Sequence, residues 1–266
     1  MLNGLSQINI ELSSVCDKAV LCPFCGHQNE EINPAKKGQM PVNLLLRISW
    51  QIPPGIVVQF HRDGEPTAYP KLGSALEMFS HCITSIVTHG ENLAKRADEI
   101  IDNCDSVTVS AFQGDKDVKL QLASVKEFLR LKGDRRPRVN IKIVGAMQPE
   151  REVMYGSLGV PIIRRIMHVP DGNYRYAKRN PVVPEHAICL DFLSHPAVDW
   201  RGRLFVCVRL DPSDKGLLGD LNTHTLDELW NSPLRQEWLR AHVAGRRDLA
   251  SPLCQNCLYY GVPTGD

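Results

Sequence analysis

Seven of the nine cysteines in this chain fall into two clusters, each with spacing typical of metal ligands. The first cluster lies in the run VCDKAVLCPFCG, and the second is closed by CQNC near the carboxyl terminus. The members are Cys16, Cys22 and Cys25, followed by Cys189, Cys207, Cys254 and Cys257. Three thiolates leave one iron of a four-iron cluster open, whereas four thiolates close it. The counts therefore predict one reactive metal centre and one structural or electron-carrying centre.

Composition and charge narrow the class of protein. The chain has 266 residues, of which 43% are hydrophobic, with 31 basic and 30 acidic side chains. This balance gives no electrostatic reason to expect nucleic acid or an anionic membrane as a partner. No apolar run reaches the roughly 18 to 20 residues of a membrane helix, and the amino terminus does not resemble a signal peptide. We therefore expect a cytoplasmic protein, in which reduced thiols at CxxC spacing indicate metal or redox chemistry and not disulfides.

Alternating strand and helix patterns predict a parallel sheet. Strand patterns cover residues 7–13, 56–60, 84–88, 106–110, 139–144 and 160–167, and helical patterns cover 74–79, 92–103 and 116–131. Five or six βα units fit before residue 170, which is short of the eight in a full barrel. We expect a partial barrel, with its site at the carboxyl ends of the strands, where the first cysteine cluster lies.

The strand followed by CxxxxxCxxC, with Phe24 just before the third cysteine, resembles the radical S-adenosylmethionine (radical SAM) superfamily. The commonest spacing there is CxxxCxxC, so this chain has two extra residues in the first gap. In that superfamily three cysteines hold a [4Fe–4S] cluster, and the fourth iron binds the amino and carboxylate groups of the cofactor. The resemblance implies these roles for Cys16, Cys22 and Cys25, with Phe24 at the cofactor. The CxxC spacing alone also fits a zinc site.

Further motifs follow in the order in which the superfamily has them. Gly64-Glu65-Pro66 resembles the GGEP motif, with Asp63 in place of the first glycine, and residues 88–90 resemble a strand-ending TNG. Ser110 falls where a polar side chain often meets the ribose or carboxylate of the cofactor. The resemblance implies that Gly64, Glu65 and Ser110 bind S-adenosylmethionine. Without the resemblance, Gly64 and Pro66 indicate an ordinary turn.

The second cysteine cluster lies in a context that resembles the SPASM/twitch auxiliary-cluster region. The order is a cysteine, WRGRLFVC, a Leu-Gly-Asp-Leu segment, TLDELWNSP and a terminal CxxC. A single set of four cysteines is similar to the shorter twitch form, as in twitch-bearing dehydrogenases of aminoglycoside biosynthesis. The resemblance implies that Cys189, Cys207, Cys254 and Cys257 fully ligate an auxiliary [4Fe–4S] cluster. A structural four-cysteine zinc site is the alternative.

Together these resemblances imply an α/β fold: a partial (β/α)6 TIM-like barrel over residues 1–186 and a small α+β twitch domain over residues 187–266. The implied cofactors are two [4Fe–4S] clusters and S-adenosylmethionine. The implied reaction is reductive cleavage of S-adenosylmethionine to a 5′-deoxyadenosyl radical, which abstracts a hydrogen atom from a substrate C–H bond. An external one-electron reductant of the flavodoxin or ferredoxin type is expected as a partner.

The substrate is expected to be a small alcohol or sugar-like metabolite that undergoes a two-electron oxidation. A peptide- or protein-modifying enzyme is an alternative, although only 15 residues precede Cys16, which leaves no room for a leader-binding domain. An epimerase is a further alternative, in which Cys82 or Cys104 would return a hydrogen atom. Outside the class, the alternative is a non-enzymatic zinc-binding module.

Three basic residues are candidates for binding the substrate. Arg164, Arg165 and His168 follow the last predicted barrel strand. Arginine there can hold a hydroxyl, carboxylate or phosphate group through forked hydrogen bonds. Surface charges are the alternative interpretation.

Overall fold

The structure is a computed structural model that describes residues 2–18, 37–112, 118–165, 188–209, 211 and 213–257. The helices and strands are, in chain order, β1 (Gln7–Ile10), α1 (Val42–Ser49), β2 (Val57–Phe60), α2 (Leu72–Met78), β3 (Ile83–Thr88), α3 (Ala97–Ile100), β4 (Ser106–Phe112), α4 (Val118–Lys132), β5 (Arg138–Val144), α5 (Pro149–Gly156), β6 (Ile162–Arg165), α6 (Leu190–Ser194), β7 (Ala197–Val198), β8 (Arg203–Phe205), β9 (Leu217–Asp220), α7 (Leu226–Trp230), α8 (Pro233–Val243) and α9 (Pro252–Gln255).

The strands form one nine-stranded sheet in the order β6-β5-β4-β3-β2-β1-β7-β8-β9. Strands β1 to β6 pair in parallel, and a segment that contains a helix joins each to the next. Strand β7 pairs in parallel with β1, and β8 and β9 extend the sheet antiparallel. The predicted fold class, a partial barrel with a smaller carboxyl-terminal region, is confirmed.

The two faces of the parallel sheet differ in chemistry. Alternate residues of β1 to β5 are buried in the hydrophobic core, and they include Ile8, Ile10, Val58, Phe60, Ile86, Val107, Val109, Ile141 and Ile143. Burial of each such side chain contributes about 1.5–3 kcal/mol to folding. Because side chains alternate along a strand, the residues between them share the opposite face. That face is polar: it carries Asn9, Glu11, Gln59, Ser85, Ser110 and Lys142.

The predicted elements differ from the structure in two respects. The helix predicted over 92–103 is confined to α3, because the residues before α3 form successive turns in which the Arg96 N–H bonds to the carbonyls of Asn92 and Leu93. Helices α1 and α5 were not predicted. In α1 the signal is the helical spacing of Leu44, Leu45 and Ile48, all of which are buried.

The predicted domain boundary at 186/187 lies outside the described residues and stays a prediction. Among the residues that the structure describes, no helix is both long and apolar enough to cross a membrane.

Candidate metal centres and active site

The segment that follows β1 is fixed by two hydrogen bonds between Ser14 and Gly38. The Ser14 N–H bonds to the Gly38 carbonyl at 2.9 Å, and the Gly38 N–H bonds to the Ser14 hydroxyl at 2.8 Å. These bonds clamp the two ends of the connection that contains Cys22, Phe24 and Cys25, three predicted residues that lie outside the described part of the chain. Cys16, the first predicted ligand, therefore starts from a fixed position at the carboxyl end of β1.

The loop after β2 packs directly against that segment. The Glu65 N–H donates to the Val15 carbonyl at 3.1 Å. A Cβ atom on Gly64 would lie 1.9 Å from the Ser13 carbonyl oxygen and 2.6 Å from the Ser14 Cα. Only glycine allows this approach, so the Gly64-Glu65 pair supports the loop that carries Cys16.

The Glu65 side chain ties the ends of β2 and β3 together. It is 3% exposed, and its carboxylate accepts four hydrogen bonds. The donors are the Thr67 N–H (2.9 Å), the Thr67 hydroxyl (2.6 Å), the Thr88 hydroxyl (2.7 Å) and the His89 N–H (2.9 Å). Its role in this structure is therefore to hold backbone in place, and its predicted role at the cofactor stays a prediction.

Cys16 lies beside an ion pair. Ligand atoms of Cys16, Asp17 and His89 all lie within 4.8 Å of one another. The His89 ring bonds to the Asp17 carboxylate at 2.8 Å, and the Asn92 amide donates to the other Asp17 oxygen at 2.9 Å. The hydrogen bond with His89 lowers the pKa of Asp17. Burial alone would lower the pKa of His89, but the bond to Asp17 and the charge of Glu65 outweigh burial and raise it. Cys16 therefore adjoins a fixed carboxylate–imidazole pair.

Ser110 lies at the carboxyl end of β4 and is buried. The amide of Gln121, on α4, donates to the Ser110 carbonyl at 3.0 Å and to the His89 carbonyl at 2.6 Å. The Tyr155 hydroxyl in turn donates to the Gln121 amide oxygen. These bonds fix the ends of β3 and β4 relative to each other, at the edge of the sheet that carries Cys16.

Glu11 and Arg62 join this edge to the second half of the molecule. Glu11 is 3% exposed and accepts hydrogen bonds from the Asp63 and Trp200 N–H groups, each at 3.2 Å. Burial, followed by the charge of Asp63, raises the pKa of Glu11 to about 7. The Arg62 guanidinium stacks 4.0 Å from the centre of the Phe205 ring, two residues before Cys207. Buried polar contacts therefore connect the two predicted centres.

All four cysteines of the second cluster line one cavity, together with Asp191, Phe192, Arg209 and Leu253. Cys189 caps α6, Cys207 follows β8, and Cys254 and Cys257 lie at α9. Burial raises the pKa values of Cys207 and Cys254, and the neighbouring thiolates raise them further. Converging thiols that repel one another when ionised are a donor set for a cationic metal centre, so these residues fit an iron–sulfur cluster.

Two arginines lie beside the cysteines of the second cluster. Arg247 donates to the Cys254 carbonyl at 2.9 Å and also to the Cys257 carbonyl. Arg209 pairs with Asp191 at 2.7 Å at the wall of the cavity. Arg247 thus fixes the backbone of the CxxC pair, and the ion pair places charge beside the thiols.

The predicted substrate residues lie at β6 or outside the described residues. Arg164 is exposed and pairs with Glu152 at 3.0 Å. Arg165 lies opposite Val144 of β5, and His168 is outside the described residues. Their predicted role in binding substrate stays a prediction.

Sequence reasoning missed several polar residues of the inner face. They are Asn9, His61, Lys142 and His195, of which the Asn9 amide bonds to the His61 carbonyl at 3.1 Å and to the His195 ring. The signal was available in the alternation of VNIKIV, which places Asn140 and Lys142 on one face and isoleucines on the other.

Comparisons with known proteins agree with this geometry. Residues 189–258 match the SPASM iron-sulfur cluster-binding domain. A search of curated proteins by sequence finds no significant match. Among solved structures, the fold is similar to BtrN in complex with AdoMet and 2-DOIA, with 17% identity, coverage of 95% of this chain and 92% of that chain, and a TM-score of 0.59.

It is also similar to SuiB of Streptococcus suis. The complex with S-adenosylmethionine is 15% identical and covers 96% of this chain and 72% of that chain, with a TM-score of 0.60. For the SuiB complex with the precursor peptide SuiA, the identity is 13%, the match covers 96% of this chain and 71% of that chain, and the TM-score is 0.61. The resemblance to radical SAM enzymes with a SPASM or twitch domain is confirmed. The predicted cofactors agree with the matched domain and with the cofactor bound in these structures.

Proposed function

We propose that this chain is a radical SAM enzyme that removes a hydrogen atom from a C–H bond of its substrate and completes a two-electron oxidation. Cys16, Cys22 and Cys25 would hold the cluster that binds S-adenosylmethionine, and the four cysteines of the second cavity would hold the auxiliary cluster. When bound, these groups supply a radical that takes the hydrogen atom and an acceptor for the electron left on the substrate. The observation that carries the proposal is the convergence of all four later cysteines on one cavity.

The residues of the chain contribute positioning. Gly64 and Glu65 hold the Cys16 loop at the carboxyl edge of the sheet, and Glu65 orders the backbone of Thr88 and His89. Hydrogen-atom abstraction depends on the carbon being close and oriented, so a rigid edge of the sheet matters more than acid–base strength. Oxidation of an alcohol also releases a proton, and Glu11, with a pKa of about 7, lies between the two centres as a group that exchanges protons near neutrality.

Oxidation is favoured over epimerisation by the positions of the remaining cysteines. Cys82 and Cys104 precede β3 and β4, at the edge of the sheet opposite Cys16. Their thiols contact the Pro53 and Ser106 carbonyls, at 3.7 and 3.1 Å, and burial raises their pKa values to about 11 and 12. Neither thiol is placed to return a hydrogen atom to a substrate held near Cys16.

A small substrate is the first candidate, because the fold is similar to that of BtrN, which was crystallised with 2-DOIA. SuiB was crystallised with a precursor peptide. A peptide substrate is the second candidate, supported by the equal similarity of fold.

The proposal is tested by incubating anaerobically reconstituted protein with S-adenosylmethionine and dithionite. We expect 5′-deoxyadenosine to form, and Cys16→Ala to abolish it. Cys82→Ala is the matched control, because it removes a buried thiol at the opposite edge of the sheet. Cys254→Ala should still form 5′-deoxyadenosine while net oxidation stops. Absence of 5′-deoxyadenosine from fully loaded wild-type protein would refute the proposal.

Metal analysis separates this function from a zinc-binding module. Two [4Fe–4S] clusters correspond to about eight irons per chain and a brown protein. Two zinc ions and a colourless protein after anaerobic purification would favour the module.

A further inference from the structure

The inner face of the barrel carries a half-buried cation, Lys142, on β5. Val139, Ile141 and Ile143 lie in the hydrophobic core, so the residues that alternate with them, including Lys142, lie on the opposite face. In the sheet register Lys142 stands opposite Ser110 of β4 and Ile163 of β6. Its ammonium group therefore belongs to the same inner face as Ser110.

Other basic groups approach Lys142 from three further elements. Arg165 lies two residues beyond Ile163 on the same face of β6. His61 follows β2, and His195 precedes β7. Burial, together with the charge of Arg165, lowers the pKa of Lys142 to about 8. Burial, together with the charges of Lys142 and His195, lowers the pKa of His61 to about 3. The Asn9 amide bonds to the His61 carbonyl and to the His195 ring, which also lies 3.7 Å from Asp191, so basic residues of four elements lie along the inner face.

Lys142 differs in its partners from Lys18, which is buried. Lys18 pairs with Glu91. Lys142, within the part of the chain that the structure describes, has neither an ion pair nor a hydrogen bond, and the charge that acts on it is repulsive. An ammonium group that is partly removed from water and has no counter-charge costs free energy, and an anion that binds beside it recovers part of that cost. The arrangement is complementary to an anion.

We infer that the inner face between β2, β5 and β6 binds an anionic group of the substrate, a carboxylate or a phosphate, and that Lys142 is its principal cation. The choice of the substrate, and not S-adenosylmethionine, as the source of this anionic group rests on the proposed function. There, the open iron beside Cys16 would bind the carboxylate of S-adenosylmethionine. The rest of the cofactor is a sulfonium cation and an uncharged nucleoside, which Lys142 and Arg165 do not attract. The substrate is therefore the proposed source of negative charge, and protection of Lys142 by the cofactor alone is the contrary outcome.

Lysine labelling tests the inference without knowledge of the substrate. Reconstituted protein saturated with S-adenosylmethionine is treated anaerobically with trace acetic anhydride, and acetylation at each lysine is measured by mass spectrometry. Inorganic phosphate and acetate are the probes, and sodium chloride at equal ionic strength is the reference. We expect at least one probe to slow acetylation of Lys142 threefold or more. Lys119, which is exposed on α4, should not respond.

Equal acetylation of Lys142 with phosphate, acetate and chloride would overturn the inference. So would full protection by S-adenosylmethionine alone, because the cofactor would then be the anion at this site. The Lys142→Met variant provides a second measurement. It should bind S-adenosylmethionine within twofold of the wild-type dissociation constant, as should the control Lys119→Met, and tenfold weaker binding by Lys142→Met alone would assign Lys142 to the cofactor.

The labelling result and the proposed function can fail separately. If wild-type protein forms 5′-deoxyadenosine but Lys142 shows no protection by either probe, the anion site alone is wrong. If Lys142 is protected but no 5′-deoxyadenosine forms, the reaction is wrong and the anion site stands.

Discussion

Two buried carboxylates, Glu65 and Glu11, order the edge of the sheet that carries Cys16. Glu65 accepts four hydrogen bonds within the loops after β2 and β3, and Glu11 accepts two from the loop after β2 and from the turn before β8. Both are 3% exposed. The two carboxylates differ in their partners. Glu65 is surrounded by hydrogen-bond donors, whereas Glu11 lies near other carboxylates. We therefore expect substitution of Glu65 to lower stability, and Glu11 to make stability depend on pH.

Glu65→Gln should destabilise the protein clearly. The substitution replaces one acceptor oxygen with a donor that faces N–H and hydroxyl donors, and an unsatisfied buried polar group costs about 1–3 kcal/mol. We expect Tm to fall by about 4 °C or more at equal iron loading. Glu77→Gln is the control, since Glu77 is exposed on α2. Equal Tm values for the two variants would show that the four bonds contribute little.

Glu11 should make stability depend on pH. The folded protein raises the pKa of Glu11 from 4.5 to about 7, so it binds this proton more tightly than the unfolded chain does. The contribution of Glu11 to the free energy of unfolding is therefore complete below about pH 4.5 and is lost as pH rises through 7. Each unit by which the pKa is raised corresponds to about 1.4 kcal/mol of this contribution.

Glu11→Gln cannot ionise and should remove this dependence. Any hydrogen bond lost in the variant gives a constant offset, so the informative quantity is the change with pH. We expect Tm of Glu11→Gln relative to wild type to rise between pH 5 and pH 8, while Glu77→Gln stays parallel to wild type. Parallel curves for Glu11→Gln would contradict the raised pKa.

At the scale of elements, the contact between the loop after β2 and the segment after β1 sets the position of Cys16, the first predicted ligand. Gly64 is the closest point of that contact, since a methyl group added there would lie 1.9 Å from the Ser13 oxygen. The clash is with backbone, which cannot rotate away. Substitution here should therefore displace the Cys16 segment.

Gly64→Ala should lower the iron content after anaerobic reconstitution from about eight to about four per chain, because only the first cluster is affected. Gly156→Ala is the matched control: it ends α5, and an added methyl group meets nothing within 4 Å. Full iron content in Gly64→Ala would mean that the Cys16 segment accommodates the methyl group.

The sequence predicted the strands better than the helices, for a physical reason. Strands such as VNIKIV combine β-branched residues with alternation, and β5 begins and ends within a residue of its predicted bounds. The segment 92–103 has a helical apolar pattern, but the Arg96 side chain donates to the Tyr69 carbonyl at 2.6 Å, and turns replace the first part of the predicted helix. Such a tertiary contact is not visible in the pattern.

At the scale of the whole molecule, one sheet joins the two predicted centres. Strands β7 and β8 extend the barrel sheet beyond β1 and carry the chain to Cys207. Cysteine spacing predicted two centres, and the structure brings the four later cysteines to one cavity, whereas the first centre stays a prediction because Cys22 and Cys25 lie outside the described residues. The spacing did not predict the inner-face residues His61, Lys142 and His195, because these come from distant strands and are brought together only by the register of the sheet.

The central claim is that one iron of the first cluster is open to S-adenosylmethionine. It is tested most directly by electron paramagnetic resonance of anaerobic, dithionite-reduced Cys254→Ala, in which the signal of the first cluster is observed with less overlap from the second. We predict that addition of S-adenosylmethionine changes the g-values of the signal, and that the change is absent in the Cys16→Ala, Cys254→Ala double variant. A spectrum of the loaded protein that is identical with and without S-adenosylmethionine would contradict the account.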